Sequence, residues 1–290
     1  MKKKLTIGMA TYDDYQGVFW TIQALRMYHA EVMDQVEIIV IDNNPDSDHG
    51  KEVRRFFEGY DTNSGSNVPG GRYIPFTEYQ SAFVKGRVFE EAQTDFVLCL
   101  DCHVFLVPGA VRKLINYYDA FPKTKNLIQG PLIQDNLKDY LTHLKPEWTD
   151  QTFGTWTYDK ELMEKGDPFE IPMNGCGLFS CVRENWVGFN PAFRGFGGEE
   201  WYIQEKFRKH GGVTLCLPFL QWMHRFQRMD QPEYTADMYD RIRNFIIGWM
   251  ELYEDKEHEA VQGIVDNFVK HGFDGKRIRS FFDECPDNYL

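Results

Sequence analysis

The residues with the clearest chemical potential are Asp101 and His103, in the stretch FVLCLDCHVFL over 96–106. An apolar run ends on Asp101, one residue intervenes, and His103 follows. On an extended backbone, side chains two apart share a side, so the carboxylate and the imidazole face one way. Such a pair can hold a hard or borderline divalent cation. It also reads as an ordinary strand end with a surface Asp and a satisfied His. A second group is Gly197-Gly198-Glu199-Glu200. Its two carboxylates suit a first helical turn, where the dipole favours acids, after a flexible glycine approach. Lys85 and Arg87 offer fixed positive charge or a solvated helix face. Asn174-Gly175-Cys176-Gly177 is a tight turn that allows close approach of a ligand, or a simple bend.

These groups need elements to position them. Leu5–Ala10 is a short β-favouring run ending at Thr11-Tyr12-Asp13-Asp14, and helical spacing follows over Gly17–His29. Val36–Ile41 is a continuous β-branched run ending at Asp42, and His49–Glu58 reads as a short helix. Strand–helix–strand–helix with apolar strands predicts a doubly wound, mostly parallel sheet. Ligands of such sheets sit beyond the carboxyl ends of the strands, where Asp13, Asp42 and Asp101 all fall, so the three are expected to share one crevice.

Asp61–Pro69 reads as a polar loop, Tyr73–Pro75 as a short strand, Glu78–Gln93 as a helix and the stretch from Phe96 as a buried strand ending in Asp101-Cys102-His103. A helix is expected from Pro108 to Ala120 and a strand at Leu127–Gly130. Pro131–Pro172, rich in Trp, Tyr, Asp and Lys with weak periodicity, is expected to be an irregular functional loop or lid. The helix opened by Gly197-Gly198-Glu199-Glu200 ends at Gly211-Gly212, a strand covers Val213–Leu217, and His224 follows. Beyond it, Tyr234–Leu252, Glu257–Lys270 and Ile278–Phe282 have helical periodicity. The chain therefore divides into an α/β unit over 1–225 and a helical C-terminal extension over 226–290 packed on it.

The chain has 290 residues, 42% of them hydrophobic, enough for one large domain or a domain with an appendage. A net charge of −12 argues against a broad nucleic-acid-binding face. The six Cys form no zinc-like pattern and suit reduced, buried thiols of a cytoplasmic protein. The basic start MKKK precedes only a short apolar run, so neither a signal peptide nor an anchor is expected, and no run approaches a membrane span.

The order of these features over roughly residues 5–225 resembles nucleotide-sugar-dependent glycosyltransferases of the GT-A type, in the broad family 2 group. The carriers are LTIGMATYD, the strand ending in Asp42-Asn43, Asp101-Cys102-His103 in place of the usual Asp-x-Asp, the Gly175-x-Gly177 turn, Gly198-Glu199-Glu200 in place of Gly-Glu-Asp, and the later His224. The Asp-x-His form with a later His is similar to the mucin-type polypeptide N-acetylgalactosaminyltransferases, which also carry a Gly-Gly-Glu segment. The resemblance implies a metal set of Asp101, His103 and His224, an O/N/N arrangement suiting Mn²⁺ better than Mg²⁺. It implies nucleotide-sugar contacts from Thr11, Asp13, Asp42, Lys85, Arg87, Asp101, Gly175 and Gly177. Glu200 stands where the family has its catalytic Asp and is expected to act as base, with Glu199 as a sugar-hydroxyl or acceptor ligand; in a retaining mechanism both would only position substrates. Trp201, Trp222 and Trp156 are candidate stacking platforms for sugar or base, and core packing is the ordinary alternative.

The expected reaction moves a sugar from a UDP-sugar to an acceptor hydroxyl, with a glycan as the default acceptor. Three alternatives stand beside it. A nucleotidyltransferase would need a Gly-rich basic loop after the first strand, where this chain has acids. A non-catalytic carbohydrate-binding protein could keep the fold. A hydroxymethylated base in DNA could be the acceptor if Arg225–Arg228, Arg241, Arg243 and Lys276–Arg279 formed a basic rim.

Overall fold

The computed structural model describes residues 3–59, 67–68, 70–225 and 237–285. The elements run β1 (Leu5–Thr11), α1 (Tyr15–Tyr28), β2 (Val36–Asp42), α2 (Asp48–Glu58), β3 (Arg72–Pro75), α3 (Arg87–Glu91), β4 (Phe96–Asp101), β5 (Val104–Leu106), α4 (Ala110–Ala120), β6 (Leu127–Gln129) and β7 (Leu132–Ile133). After these come β8 (Tyr140–Leu141), β9 (His143–Thr149), β10 (Thr152–Thr157), α5 (Lys160–Lys165), β11 (Phe169–Glu170), β12 (Leu178–Val182), α6 (Glu199–Lys209), β13 (Thr214–Cys216) and β14 (Trp222–His224). Three helices follow: α7 (Met238–Tyr253), α8 (Glu259–Lys270) and α9 (Gly275–Ser280).

The main sheet has eight strands in the order β11-β13-β6-β12-β4-β1-β2-β3. The apolar runs of β1, β2 and β4 are its parallel centre, buried on both faces as their composition requires. Register sets the site: Thr11 lies opposite Asp42, and Ala10 opposite Asp101, so β1, β2 and β4 end on one rim. The sheet is mixed, because β12 runs antiparallel between β4 and β6 and delivers the 174–177 turn to that same rim. A second sheet, β5-β14-β7-β8, pairs His224 with Val104. This pairing carries residue 224 to the turn that holds His103.

Three local expectations change. The strand predicted through His103 stops at Asp101; Cys102 and His103 form a turn before β5, so the two candidate ligands are brought together by a turn and not by strand alternation. The helix expected over Glu78–Gln93 is a 3₁₀ turn at Ala82–Gly86 followed by the short α3, because Ser81 is extended, pairs with Gly195 and caps the 3₁₀ turn through its hydroxyl. Pro131–Pro172 is not an irregular loop: it holds β7, β8, the β9–β10 hairpin, α5 and β11. The hairpin's apolar contacts are aromatic, with Trp148 against Phe153, Phe245 and Phe268, which hides them from any simple period. Most of the expected Asp61–Pro69 loop and the start of the expected Tyr234–Leu252 helix lie outside the described residues.

The C-terminal helices share a core with the sheet. Phe245, Ile246 and Trp249 of α7 belong to the same buried cluster as Val97, Cys99 and Phe179. No helix among the described residues is long and apolar enough to cross a membrane.

Candidate active site

A cleft of about 840 Å³ opens at the carboxyl ends of β1, β2 and β4, and Thr11, Asn43, Lys85, Asp101, Glu199 and His224 are among its lining residues. At its base Asp101 meets two partners. Lys85 places Nζ 2.8 Å from Asp101 Oδ1 and donates to the Cys176 carbonyl at 3.1 Å. His224 Nε2 lies 3.3 Å from Asp101 Oδ2 and 3.1 Å from His103 Nε2. Burial alone would push the Asp101 carboxyl up, but the Lys85 ammonium first, and then the His224 hydrogen bond, hold it well below the usual carboxylate range. Burial likewise works against the Lys85 charge, and the Asp101 carboxylate overcomes it and keeps Lys85 cationic.

Asp101, His103 and His224 each offer a ligand atom within 4.8 Å of the others. Donors about 2.1 Å from an octahedral ion and at right angles lie roughly 3.0 Å apart. The separations of 3.1 and 3.3 Å therefore fit His224 as the neighbour of both other ligands on one divalent cation. The donor set, one carboxylate and two imidazoles, suits a borderline ion.

Glycine forms the adjoining wall. A Cβ on Gly177 would meet the Trp222 ring at 2.9 Å and Asp101 Oδ2 at 3.4 Å, and one on Gly175 would meet the Trp156 ring at 3.2 Å. The Asp101 N–H donates to the Gly177 carbonyl at 2.9 Å, which ties β4 to this turn. Trp222 is only 2% exposed and donates its indole N–H to Gly130 O at 2.7 Å, so it is a fixed floor more than a free platform. Trp156 also lines the cleft.

The two carboxylates of α6 differ. Glu199 is buried, and its Oε2 has no hydrogen-bond partner among the described residues. Burial first, then the neighbouring Glu200, push its carboxyl up to about 8. Both effects favour the protonated form of Glu199, which can donate a hydrogen bond. Glu200 is the more exposed of the pair. The loop before them is held by α7: Asn244 donates to the carbonyls of Arg194 and Gly197 at 2.7 and 3.0 Å and accepts from Arg194 N–H at 2.9 Å. Gly198 has φ 96°, and a Cβ there would press on Asn244, so residues 197–198 must be glycine-like to fit beneath this helix. Cys176 also lines the cleft, but burial, then Glu200 and Glu199, hold its thiol well above the ordinary range, so it offers no thiolate.

Other expected site residues stand back from the cleft. Arg87 is not among the cleft residues; it pairs with Glu90 and Glu91 on its own helix and lies over Phe76. Trp201 faces the helical region, donating to Tyr253 Oη at 3.3 Å under the Arg208 guanidinium. Asp42 is buried and accepts from Tyr73 Oη at 2.8 Å and Asn44 N–H at 3.0 Å, and Asp13, at φ 50°, accepts from Asn44 Nδ2. These two carboxylates brace the loop after β2, and Thr11, Tyr12 and Asn43 present themselves to the cleft in their place. The proposed basic rim loses Arg243, which is 4% exposed and bound to Glu284; residues 226–228 lie outside the described residues. Sequence reasoning missed Asn43, Phe153 and Phe196 as cleft residues.

The glycosyl transferase family 2 model matches residues 6–186, more than half of the sequence. The chain belongs to glycosyl transferase family 2. The fold is GT-A, with a helical C-terminal region. Among solved structures it is similar to GalNAc-T7 with UDP, GalNAc and Mn²⁺, at TM-score 0.61 and 14% identity over 92% of this chain. That match spans 55% of the GalNAc-T7 chain. It is also similar to Staphylococcus aureus TarS 1-349 in complex with UDP-GlcNAc (TM-score 0.55, 11% identity, 92% of this chain and 73% of that one). A third is the mannosyltransferase PcManGT from Pyrobaculum calidifontis in complex with GDP-Man and Mn²⁺ (TM-score 0.56, 12% identity, 98% and 75%). No curated protein sequence gives a significant match.

Proposed function

We propose that this family member is a metal-dependent glycosyltransferase that moves a sugar from a UDP-sugar to an acceptor hydroxyl, with a glycan as acceptor. The observation carrying the reading is the meeting of Asp101, His103 and His224 beside Lys85 at the base of the cleft. The ligands of the GT-A relatives, UDP and GalNAc in one, UDP-GlcNAc in another and GDP-Man in a third, support a nucleotide-sugar, and Mn²⁺ is present in two of the three.

In this reading Asp101, His103 and His224 would hold the cation, and two imidazoles in the set favour Mn²⁺ over Mg²⁺. When bound, the cation would neutralise charge on the diphosphate as the glycosidic bond breaks. Lys85 adds fixed positive charge beside the same phosphates and keeps Asp101 ionised. Thr11 and Asn43 face the nucleoside, with Asp13 and Asp42 bracing their loop. The Gly175–Gly177 backbone lies beneath the donor sugar. Glu199, held towards its protonated form, donates to a sugar or acceptor hydroxyl, and Glu200 takes the acceptor proton as the acceptor oxygen attacks. Trp156 offers an apolar face to the acceptor. Residues 1–225 would be the nucleotide-sugar unit and 226–290 its helical extension. Six free, buried cysteines support a reducing, cytoplasmic setting.

The test is calorimetric binding of UDP with and without Mn²⁺, joined to a turnover screen of UDP-sugars against glycans and hydroxymethylated DNA. Mn²⁺-dependent UDP binding and donor turnover, both abolished by Asp101→Ala, are expected. No UDP binding and no transfer to any acceptor would sink the reading, and binding without turnover would point to a carbohydrate-binding role.

A further inference from the structure

His103 is gripped on both sides. Its Nε2 faces His224 and Asp101, while its Nδ1 lies 3.0 Å from Asp14 Oδ2. Asp14 is fixed in turn. Its Oδ1 accepts from Gly17 N–H at 2.9 Å, capping α1, and Arg225 Nη2 lies 3.6 Å from the same oxygen. The side chain is only 7% exposed. The turn carrying His103 is equally constrained: the Thr21 hydroxyl donates to the Cys102 and Val104 carbonyls, and Arg225 N–H donates to His103 O. The close approach depends on Gly17, where a Cβ would lie 2.6 Å from Asp14 Oδ2 and 2.7 Å from Cys102 O.

We propose that Asp14 is a positioning residue: it holds His103 in the Nδ1-protonated tautomer and so presents the Nε2 lone pair to a divalent cation shared with Asp101 and His224. The inference rests on the metal-site reading above. The chemistry is directional. An ionised carboxylate only accepts, so the hydrogen of the 3.0 Å contact belongs to Nδ1. In the neutral ring the other nitrogen then carries the lone pair, and it points at Asp101 and His224. A carboxylate on the far nitrogen of a ligating His also raises its basicity and fixes the ring plane. Asp14 links α1 to the β4–β5 turn, so the first helix of the chain sets the protonation pattern of a ligand at residue 103.

The informative variant is Asp14→Asn. Asn is also a good N-cap, and its oxygen must face Gly17 N–H to keep that bond. Its NH₂ then faces His103 Nδ1, which must accept, and the ring hydrogen moves to Nε2. The expected result is a neutral, Nδ1-protonated His103 in the wild type by ¹⁵N NMR of the metal-free full chain, and an Nε2-protonated ring in Asp14→Asn. Mn²⁺ affinity, read by electron paramagnetic resonance with Mn²⁺ alone and with UDP, should fall about 10- to 100-fold while the melting temperature stays close to wild type. A wild-type ring protonated on Nε2 or on both nitrogens at pH 8 overturns the inference even if the variant cannot be folded. So does Asp14→Asn binding Mn²⁺ as tightly as a wild type that binds it. A wild type that binds no Mn²⁺ under either condition fails differently, because it removes the metal site itself.

Discussion

Lys85 and Asp101 lie 2.8 Å apart at the bottom of the cleft, with their side chains 12% and 18% exposed. The 3₁₀ turn before α3 and the end of β4 are thus joined by a charge pair with little water around it. Each charge makes the other tolerable: without the ammonium, burial would favour the protonated acid. The pair is also the point where stability and the proposed phosphate chemistry use the same atoms.

Lys85→Met should therefore cost stability as well as activity. Removing one partner strands the other, a loss of about 2–3 kcal/mol with the remaining water access taken into account. Urea denaturation should show a lower midpoint with an unchanged slope. An unchanged midpoint would mean that the pair is not mutually dependent.

Glu199 gives a pH signature of opposite sign to an ordinary salt-bridged acid. Its folded pKa is raised from 4.5 to about 8 by burial and by Glu200. Between those values the unfolded chain holds fewer protons, so stability from this group is full below about 4.5 and is lost as pH rises towards 8. Glu199→Gln has no such loss. The melting temperature of the variant relative to wild type should climb steadily from pH 5 to pH 8, and a constant difference would refute the assignment. Asp101 runs the other way, adding stability at neutral pH that disappears as acid approaches its depressed pKa.

Gly177→Ala tests the packing behind the metal set. The added methyl would meet the buried Trp222 ring at 2.9 Å, and that ring is pinned by its bond to Gly130. Overpacking of this kind costs about 1–3 kcal/mol. Because the methyl also approaches Asp101 Oδ2, Mn²⁺-dependent UDP binding should weaken. Full affinity with normal stability would show that the wall can yield.

Asn244→Ala asks whether the C-terminal helices serve the site. Asn244 is fully buried and makes three hydrogen bonds to the loop before Glu199. Each buried group left unpaired costs about 1–3 kcal/mol. Steady-state kinetics should show a fall in kcat larger than any change in donor KM, since the acids move while the metal set stays. A variant with normal kcat would separate α7 from catalysis.

Arg87→Ala should leave the cleft untouched. Its guanidinium is occupied by Glu90 and Glu91 on a solvent-facing turn, where such pairs contribute about 0–1 kcal/mol. UDP affinity equal to wild type is expected by calorimetry, and a tenfold loss would return Arg87 to the site.

Much of the scaffold is legible in one dimension because parallel strands advertise themselves. The runs of β1, β2 and β4 are apolar on both faces, their ends are marked by Asp or Thr, and the ligand-binding edge of such a sheet follows from its winding. The β9–β10 hairpin was hidden because its apolar contacts are aromatic and long-range. Arg87 and Trp201 look as useful as Lys85 and Trp156 in sequence. Lys85 and Arg87, two residues apart, point to opposite sides, and Trp156 and Trp201 sit on a strand and a helix, so packing alone decides which of each pair faces the cleft.

The sequence by itself determined the residue types, their order along the chain and the strand ends that carry Thr11, Asp42 and Asp101, since these depend on local apolar patterning. Tertiary structure decided the rest. His224 reaches His103 only because β14 pairs with β5. Glu199 differs from Glu200 only because the fold buries one more than the other. At the Asp101-Cys102-His103 turn, Asp14 arrives from another element altogether, 89 residues away in sequence, and hydrogen-bond direction, which no spacing records, sets what His103 can offer.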